Sequence, residues 1–469
     1  MTSPSATTAT VQTEAPHGGG VRIWALSFVA FFLMIGAWSV ATPYNGSPDE
    51  MDHIFRAVGV VSGEVAPAPA EAIRGSGAYQ TVPAGLIRDI GCWAFHPNIS
   101  ADCTPEPGSD RTPVRMGSGA GRYHPVYYAM VGLPMRLWPG WPGVILARLI
   151  GAALSAALLA GALTTIIRYS RRRMMVAGMV VAVTPMAGFL GGAVNPNGME
   201  IAAGVGFFAG GIVLARRDHD VLPRGVLWLV GLSALALAML RTTGLLYLAV
   251  GLAALVLPIP MTRLRALVRS TAVRVWFGVV AVAAVTSVLW ILKMHTTDLG
   301  DFNPNHVHLS ASQAFIANMG YWPSYFQQMV GVTSWLDTRM FEPMYMIWES
   351  AAVFFVLLAV VLGTWRDRWR LLVVFSGGFL IPLAVQIRAA NTVGFITQGR
   401  YLLPMLVGVL LLAGFVLDER GLEARHCHAV IRLVTVAVLP IHLVCLAFTM
   451  SRWQNGLPLL NLAGPVKVL

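Results

Sequence analysis

The sequence predicts an all-α, polytopic membrane protein with about eleven transmembrane helices. Apolar residues make up 56% of the 469 positions and charged residues only 12%, about half the share of roughly 25% found in soluble domains. Runs of roughly 20 apolar residues, enough to cross a bilayer as a helix, recur along the chain. Lipid is therefore expected to surround most of the protein.

The apolar runs, and the charges that end them, predict where the spans lie. Short outer turns within two stretches, 224–260 and 371–417, decide whether the count is eleven. The predicted spans are 22–42, 143–167, 174–194, 198–215, 224–240, 243–260, 274–294, 345–363, 371–387, 401–417 and 428–450.

Three regions follow from this pattern. Residues 1–21 are predicted to form a disordered cytoplasmic tail, because they are rich in Ser, Thr, Ala and Gly. Residues 22–450 form the membrane domain, and 451–469 an extracytoplasmic tail. The first span ends in a small-residue sequence like that of a cleaved signal, but its apolar run exceeds the usual 7–15 residues of a signal core, which favours an anchor.

The placement of arginine predicts the orientation, because short cytoplasmic loops are enriched in Lys and Arg. With eleven spans, five basic clusters fall on one side and the N-terminus is cytoplasmic. The net charge of +11 is explained by these cytoplasmic arginines, so no nucleic-acid partner is expected. The clusters are Arg171–173, Arg216–217, Arg263–269, Arg366–370 and Arg420–425.

The acids show the opposite distribution. In this topology fifteen of the 22 Asp and Glu residues lie on the outer side, thirteen of them in the two long segments 43–142 and 295–344. Asp and Glu contribute little to topology, so insertion does not explain the skew. The functional polar residues of the protein are therefore expected on the outer face.

Two of the four cysteines predict a disulfide. Cys92 and Cys103 lie in the first outer loop, where the compartment permits oxidation. Two free thiols are the alternative. Cys427 and Cys445 are expected to be reduced packing residues.

Ionisable residues are concentrated directly after the first span. Ser47 is expected to cap a short helix, with Pro48 in its first position and Asp49 and Glu50 in its first turn. Apolar residues then recur at helical spacing up to position 58, which predicts an amphipathic helix on the outer leaflet.

This cluster could carry chemistry at the membrane surface. Asp49 or Glu50 could deprotonate an acceptor hydroxyl or hold a cation, while His53 or Arg56 offsets a phosphate. Ordinary capping acids on a surface helix would give the same pattern.

The same loop ends in a second predicted interfacial helix, 124–138. His124 stands beside Pro125 at its start, and Tyr128 follows one turn later. Both are candidates for binding substrate, although tyrosines also anchor helices at membrane interfaces.

Four segments, in this order and spacing, resemble the predicted-membrane-protein family catalogued as domain of unknown function 2142, over residues 22–450. Through it the chain resembles the GT-C superfamily of lipid-dependent glycosyltransferases. The segments are Pro-Asp-Glu-x-x-His-x-x-Arg at 48–56, His-Pro-x-Tyr-Tyr at 124–128, Asn-Pro-Asn-Gly-Met-Glu at 195–200 and Gln-Gly-Arg-Tyr-Leu-Leu-Pro at 398–404.

The resemblance implies a bacterial plasma-membrane enzyme that acts on the outer face. Such enzymes transfer a sugar from a polyprenyl-phosphate donor to a cell-envelope glycan or lipid, using an acid in the first outer loop, which maps to Asp49 or Glu50. His124-Pro125-Val126 departs from the commoner His-Pro-Pro. No Asp-x-Asp metal-binding motif occurs near the first helix, although Glu50-Met51-Asp52 has the same spacing. No cofactor is therefore assigned, and the use of a divalent cation remains an open alternative.

Other residues complete the candidate site. Gln398 and Arg400 open the tenth span, where Arg400 either faces a lipid phosphate or reaches to the interface as a snorkelling side chain. Arg241 and Arg388 also lie at outer helix ends. The second outer segment contains residues that could bind zinc. Its aromatic run 321–326 suggests an interfacial helix or an acceptor groove. Two of its acids are candidates for a second acid of the site. The residues concerned are Asp298, Asp301, His306 and His308 for zinc, and Glu342 and Glu349 as acids.

Two other classes of protein remain open. A lipid transporter or flippase would carry ionisable residues at mid-bilayer on interrupted helices, whereas the predicted span centres are nearly free of acids and show no internal repeat. A non-catalytic assembly protein would not need clustered charges on one face. The absence of a phosphate-binding loop and the short cytoplasmic loops favour a donor supplied within the membrane.

Overall fold

The computed structural model describes residues 19–216, 222–300, 308–420 and 423–457. The ends of both predicted tails, 1–18 and 458–469, lie outside these ranges, as do Asp301 and His306. The described residues form sixteen helices, named in chain order: α1 Gly20–Ala41, α2 Glu50–Val61, α3 Pro125–Leu137, α4 Trp141–Tyr169, α5 Met174–Ala182, α6 Pro185–Gly191, α7 Pro196–Arg216, α8 Arg224–Leu240, α9 Gly244–Val256, α10 Met261–Arg269, α11 Thr271–Met294, α12 Ala311–Gly331, α13 Glu342–Leu362, α14 Trp365–Ala389, α15 Leu403–Glu419 and α16 Ala424–Asn455.

Every predicted span coincides with one of these helices or with a bent pair. Seven described helices (α1, α4, α7, α11, α13, α14 and α16) are long and apolar enough to cross a bilayer, and α5 with α6 makes an eighth candidate. Helices α8 and α9 are apolar but shorter, and α15 has 17 residues. The all-α, multi-pass membrane fold is confirmed, whereas the number eleven remains a prediction.

The predicted span 174–194 is not one continuous helix. Its two halves, α5 and α6, meet at a bend of 61°. Pro185 has no N–H to donate and disfavours helical geometry in the preceding residue, and the Thr184 side chain accepts a hydrogen bond from the N–H of Ala187 to start α6. The apolar run hides this break, because the two halves together are apolar enough to form one span.

Helix α7 lies at the centre of the bundle. In the most apolar stretch of α7, 94% of the residues are buried within the protein, whereas the corresponding share is 11% for α11, which faces outward. Small residues permit this packing: a side chain at Gly198 would collide with the backbone of Gly191, and one at Gly204 with the carbonyl of Pro404. Close backbone approach through glycine is typical of helices packed within membranes.

The first outer segment folds over one end of the bundle. Strands β1 Ala78–Pro83 and β2 Pro113–Ser118 pair antiparallel, and α2 packs against them and against α3. Helix α2 begins at Glu50, so Ser47 does not cap it; Asp49 occupies that position in a left-handed conformation, with φ 64°. Nearly all of α2 is buried, so it does not lie freely on the leaflet as predicted, whereas α3 keeps an exposed apolar face at Leu133, Leu137 and Trp138.

A disulfide joins Cys92 to Cys103, with Cα atoms 6.3 Å apart. The loop that it closes is fixed to α16 by Arg452, which donates hydrogen bonds to the carbonyls of Trp93 at 2.7 Å and Ile99 at 2.9 Å. Cys427 and Cys445 are buried free thiols. The outer segment is therefore attached to the last helix as well as to the first ones.

Candidate functional site

The centre of the candidate site is an ion pair between Asp49 and Arg400. Asp49 lies between α1 and α2, and Arg400 lies in a single helical turn, Gly399–Tyr401, that leads into α15. A nitrogen of Arg400 donates to the Asp49 carboxylate at 2.5 Å. The turn is held against α12, since the N–H of Gly399 donates to the Gln328 side chain at 2.8 Å.

Arg400 has more hydrogen-bond donors than its neighbours use. Its side chain is only 2% exposed, yet among the described residues Nε and Nη1 have no partner. The Asp49 carboxylate is 47% exposed. A molecule that reaches Asp49 would therefore meet a buried cation with free N–H groups, which are costly to leave unpaired.

A second arginine lies next to this pair. The guanidinium carbons of Arg241 and Arg400 are 4.7 Å and 5.1 Å from the centre of the same ring, that of Tyr401. Arg241 also donates to the side chain of Asn197 at 2.6 Å. The sequence marked Arg241 only as a cation at a helix end; the position of Asn197 and Tyr401 beside it could not be read from spacing.

Arg400 controls the ionisation of Asp49. Burial acts to raise the pKa of Asp49, but the positive charge of Arg400, with smaller contributions from His53 and Arg241, outweighs it and holds that pKa below its ordinary value. Asp49 is thus a carboxylate at neutral pH, and it stays a weak base while Arg400 is its partner.

Asp52, considered above only for a metal-binding spacing, lies one turn along α2. Its carboxylate accepts a hydrogen bond from the N–H of Gly119 at 2.6 Å. Burial raises the pKa of Asp52 to about 7; the charge of Asp49 adds to this, and the Gly119 hydrogen bond opposes it. Two acids in the same stretch therefore have pKa values displaced in opposite directions, a pattern common in active sites.

His53 and Tyr128 form a buried pair. Nδ1 of His53 and the Tyr128 hydroxyl are 2.8 Å apart. Burial lowers the pKa of His53 to about 3, although Asp49 acts in the other direction. In this environment His53 is therefore neutral at physiological pH, and its role in offsetting a phosphate charge stays a prediction.

Two predicted site residues have structural partners. Both Glu50 oxygens accept from Arg148, at 2.7 Å and 2.6 Å, and neither side chain is exposed. Arg56 is also fully buried and donates to the backbone carbonyls of Tyr123, Glu64 and Val65. The proposed roles of Glu50 as a base and of Arg56 as a phosphate ligand do not fit these positions.

His124 and Gln398 line two narrow crevices beside the ion pair. His124 begins α3, and its ring lies edge-on to Trp290, with ring centres 5.5 Å apart, in a crevice that Arg241 also lines. Gln398 lines a second crevice with Pro48 and Arg400. The Gln398 side-chain oxygen is buried and has no partner among the described residues.

The second outer segment reaches this cluster through Gln328 of α12, whose side chain accepts from the N–H of Gly399 at 2.8 Å, whereas its candidate acids have other surroundings. Glu342 accepts from Gln327 at 3.0 Å, and Glu349 lies along α13. Asp298 pairs with His295 at 3.4 Å. No three His, Cys, Asp or Glu side chains of the described ranges lie close enough to hold a metal, while Asp301 and His306 are outside those ranges.

Fold and site together define a multi-pass, helical membrane protein with an acid and two arginines gathered at one end of its bundle. The chain belongs to the family described as Predicted membrane protein (DUF2142), whose model matches residues 31–409. The family resemblance found in the sequence is thereby confirmed. No curated protein matches the chain in sequence.

Two solved structures are similar in overall fold. ArnT from Cupriavidus metallidurans bound to undecaprenyl phosphate aligns over 92% of this chain and 77% of that chain, with a TM-score of 0.47 and 13% identity. The same protein in the apo state aligns over 93% and 78%, with a TM-score of 0.45 and 11% identity. A likeness this distant carries no argument about chemistry, which must come from the residues of this chain.

Proposed function

We propose that the protein is a membrane glycosyltransferase, active on the outer face, that moves a sugar from a polyprenyl-phosphate donor to a glycan or lipid acceptor of the cell envelope. The observation that supports this is the Asp49–Arg400 pair, in which a half-exposed carboxylate covers a buried arginine that has two nitrogens without a partner in the described part of the chain. Phosphate oxygens would satisfy those groups through strong, charge-assisted hydrogen bonds.

In the proposed reaction the donor phosphate takes the place of Asp49 on Arg400. Asp49 is then no longer paired with the positive charge of Arg400, so its pKa rises and it becomes a stronger base. It accepts the proton of the acceptor hydroxyl, whose oxygen bonds to the anomeric carbon as the bond from that carbon to the phosphate oxygen breaks. The electron pair leaves on polyprenyl phosphate, which is already charged and needs no acid.

The neighbouring residues divide into binding and positioning roles. Arg241 is proposed to bind the donor phosphate with Arg400, since it lies beside it. Gln398, whose buried side-chain oxygen is an acceptor with no partner among the described residues, is proposed to accept from a hydroxyl of the donor sugar. His124 and Trp290, which line the adjacent crevice, are proposed to contact the sugar or the acceptor. Tyr128 and His53, which hydrogen-bond to each other at 2.8 Å, are proposed to position the start of α2.

One observation favours a second candidate function, the movement of a lipid-linked substrate across the membrane. The bent pair α5 and α6 is an interrupted helix, with a break at Thr184. Discontinuous helices of this kind form substrate sites in many transporters. The same anion site would then bind a phosphate headgroup during transport, without transfer.

The two functions are separated by lipid analysis of a deletion strain carrying plasmid-borne variants. A transferase without Asp49 still binds its donor, so Asp49→Asn should leave sugar-loaded polyprenyl phosphate to accumulate and the acceptor glycan undersized. Arg400→Gln should give the same phenotype. Glu71→Gln changes an exposed acid of the same outer segment and should restore the glycan fully.

Protein abundance in the membrane is measured for each variant, so that loss of folding is not mistaken for loss of turnover. Normal glycan from an Asp49→Asn strain with wild-type abundance would exclude Asp49 as the base. A glycan defect whose carrier accumulates only on the inner leaflet would instead indicate transport.

A further inference from the structure

A cluster of three arginines lies at the opposite end of the bundle, around Asp367. Arg216 ends α7, Arg370 lies in the first turns of α14, and Arg420 follows α15. Their nitrogens are 3.3 Å, 3.4 Å and 3.4 Å from the Asp367 carboxylate. Helix α7 runs from the Asp49 end to this one and has 21 residues, so the two clusters are roughly 30 Å apart.

Asp367 does not satisfy these arginines. Its carboxylate accepts a close hydrogen bond, at 2.6 Å, from the hydroxyl of Thr364, whose own oxygen caps α14. The three distances to arginine exceed the 2.7–2.9 Å typical of strong ion pairs. By contrast, Glu50 and Arg148 bind each other at 2.6–2.7 Å.

Arg370 carries the unused capacity. Its side chain is 3% exposed, and among the described residues Nε and Nη2 have no hydrogen-bond partner. Other acids nearby have partners of their own: Asp418 accepts from the backbone N–H groups of Arg171 and Arg172, and Glu419 pairs with Arg171. Within the described ranges one carboxylate thus faces three cations, and one of these is buried with two nitrogens that have no partner there.

We propose that Arg216, Arg370 and Arg420 form a second phosphate-binding site, at the inner membrane boundary, that holds the phosphate group of an anionic ligand. Two features of the position favour phosphate. Basic pockets between helices at the cytoplasmic boundary bind lipid phosphates, and the N-terminus of a long helix such as α14 attracts anions. The site is independent of the outer one and of its proposed reaction.

The phosphate can come from an anionic lipid headgroup or from solution, and one experiment distinguishes them. The purified full-length protein is placed in nanodiscs of phosphatidylcholine alone or of an equal mixture with phosphatidylglycerol, and its thermal midpoint is measured. Inorganic phosphate is titrated into the phosphatidylcholine discs. Binding to the folded state raises the midpoint, here by roughly 2 °C.

Arg370→Gln should abolish that rise, and so should Arg420→Gln, which changes a half-exposed side chain and keeps the test valid should the buried substitution prevent folding. All these proteins carry Arg400→Gln, so that phosphate bound at the outer site does not contribute to the rise. Arg425→Gln, which changes an exposed arginine on the same side that pairs with Glu423, should keep the rise. A rise with phosphatidylglycerol alone assigns the site to lipid, and a rise with inorganic phosphate assigns it to a soluble ligand. No rise with either probe, or a rise that survives both inner-site substitutions, would overturn the proposal.

Discussion

At the residue scale, the site depends on two neighbouring carboxylates with different environments. Asp49 faces Arg400 and keeps its charge, whereas Asp52 is held by a single backbone N–H from Gly119 and takes up protons near neutrality. Their separation by three residues on one stretch of chain is visible in the sequence. The direction of each pKa change is not, because Arg400 and Gly119 come from distant parts of the chain.

The pKa of Asp52 predicts a stability change with pH. Its folded-state pKa of about 7 exceeds the unfolded value of about 3.9, so the contribution of Asp52 to stability is full below pH 4 and is lost as pH rises through 7. Asp52→Asn mimics the protonated acid. Its thermal midpoint, relative to wild type, should therefore increase from pH 4 to pH 7.5.

The comparison with wild type is needed because His53 acts in the opposite direction. Its lowered pKa makes the protein lose stability as pH falls below the ordinary histidine range. Asp102→Asn, in an exposed part of the same outer segment, serves as the control and should show a constant difference. A constant difference for Asp52→Asn as well would contradict the raised pKa.

At the scale of elements, one buried ion pair joins the first outer helix to the bundle. Arg148 on α4 binds Glu50 at the start of α2 and also donates to the carbonyls of Ser39, Thr42 and Pro43 at the end of α1. Glu50 further accepts from the N–H of Val194, just before α7. Three helices and the approach to a fourth therefore meet at one carboxylate.

Replacing Arg148 should uncouple these helices. Arg148→Met leaves Glu50 buried and unpaired, which typically costs about 3–5 kcal/mol, and the thermal midpoint in detergent should fall clearly. The double variant Glu50→Gln/Arg148→Met removes both charges and should recover much of the loss. Arg269→Met, exposed on α10, is the control; a single variant as stable as this control would refute the coupling.

The helices themselves could be predicted, but their partners could not. Apolar runs locate each span, because lipid selects for composition along a single segment. The same reasoning gives no sign that Arg148, near the start of an apolar run, faces Glu50, 98 residues earlier. The sequence also predicts that Arg56 binds a phosphate, because it cannot show that backbone carbonyls already surround the Arg56 side chain.

At the scale of the whole molecule, the two charged clusters lie at opposite ends of one bundle, and the arrangement depends on orientation. The outer segment 43–142 and the turn at Arg400 meet at one end, while the loop after α4 and the end of α15 meet at the other, where Asp418 binds the backbone at Arg171 and Arg172. The sequence predicts the first end outside, from the placement of arginine.

Single cysteines test this orientation. Glu71→Cys and Ser451→Cys, both at exposed positions, should react with a membrane-impermeant maleimide on intact cells. Arg171→Cys, whose side chain is 68% exposed, should react only after permeabilisation. Equal labelling of positions 171 and 451 would place them on the same side and rule out an odd number of spans between the N-terminus and the end of α16.

The pairing of Asp49 with Arg400 also sets the earliest time during synthesis at which the candidate site can form. The two residues are 351 positions apart, and at about 5–20 residues per second a ribosome needs roughly 20–70 seconds to make that stretch. During this interval the newly made Asp49 has no Arg400 to pair with, so the candidate site is incomplete. Under the proposed function, a chain that has not yet reached position 400 cannot bind the donor phosphate.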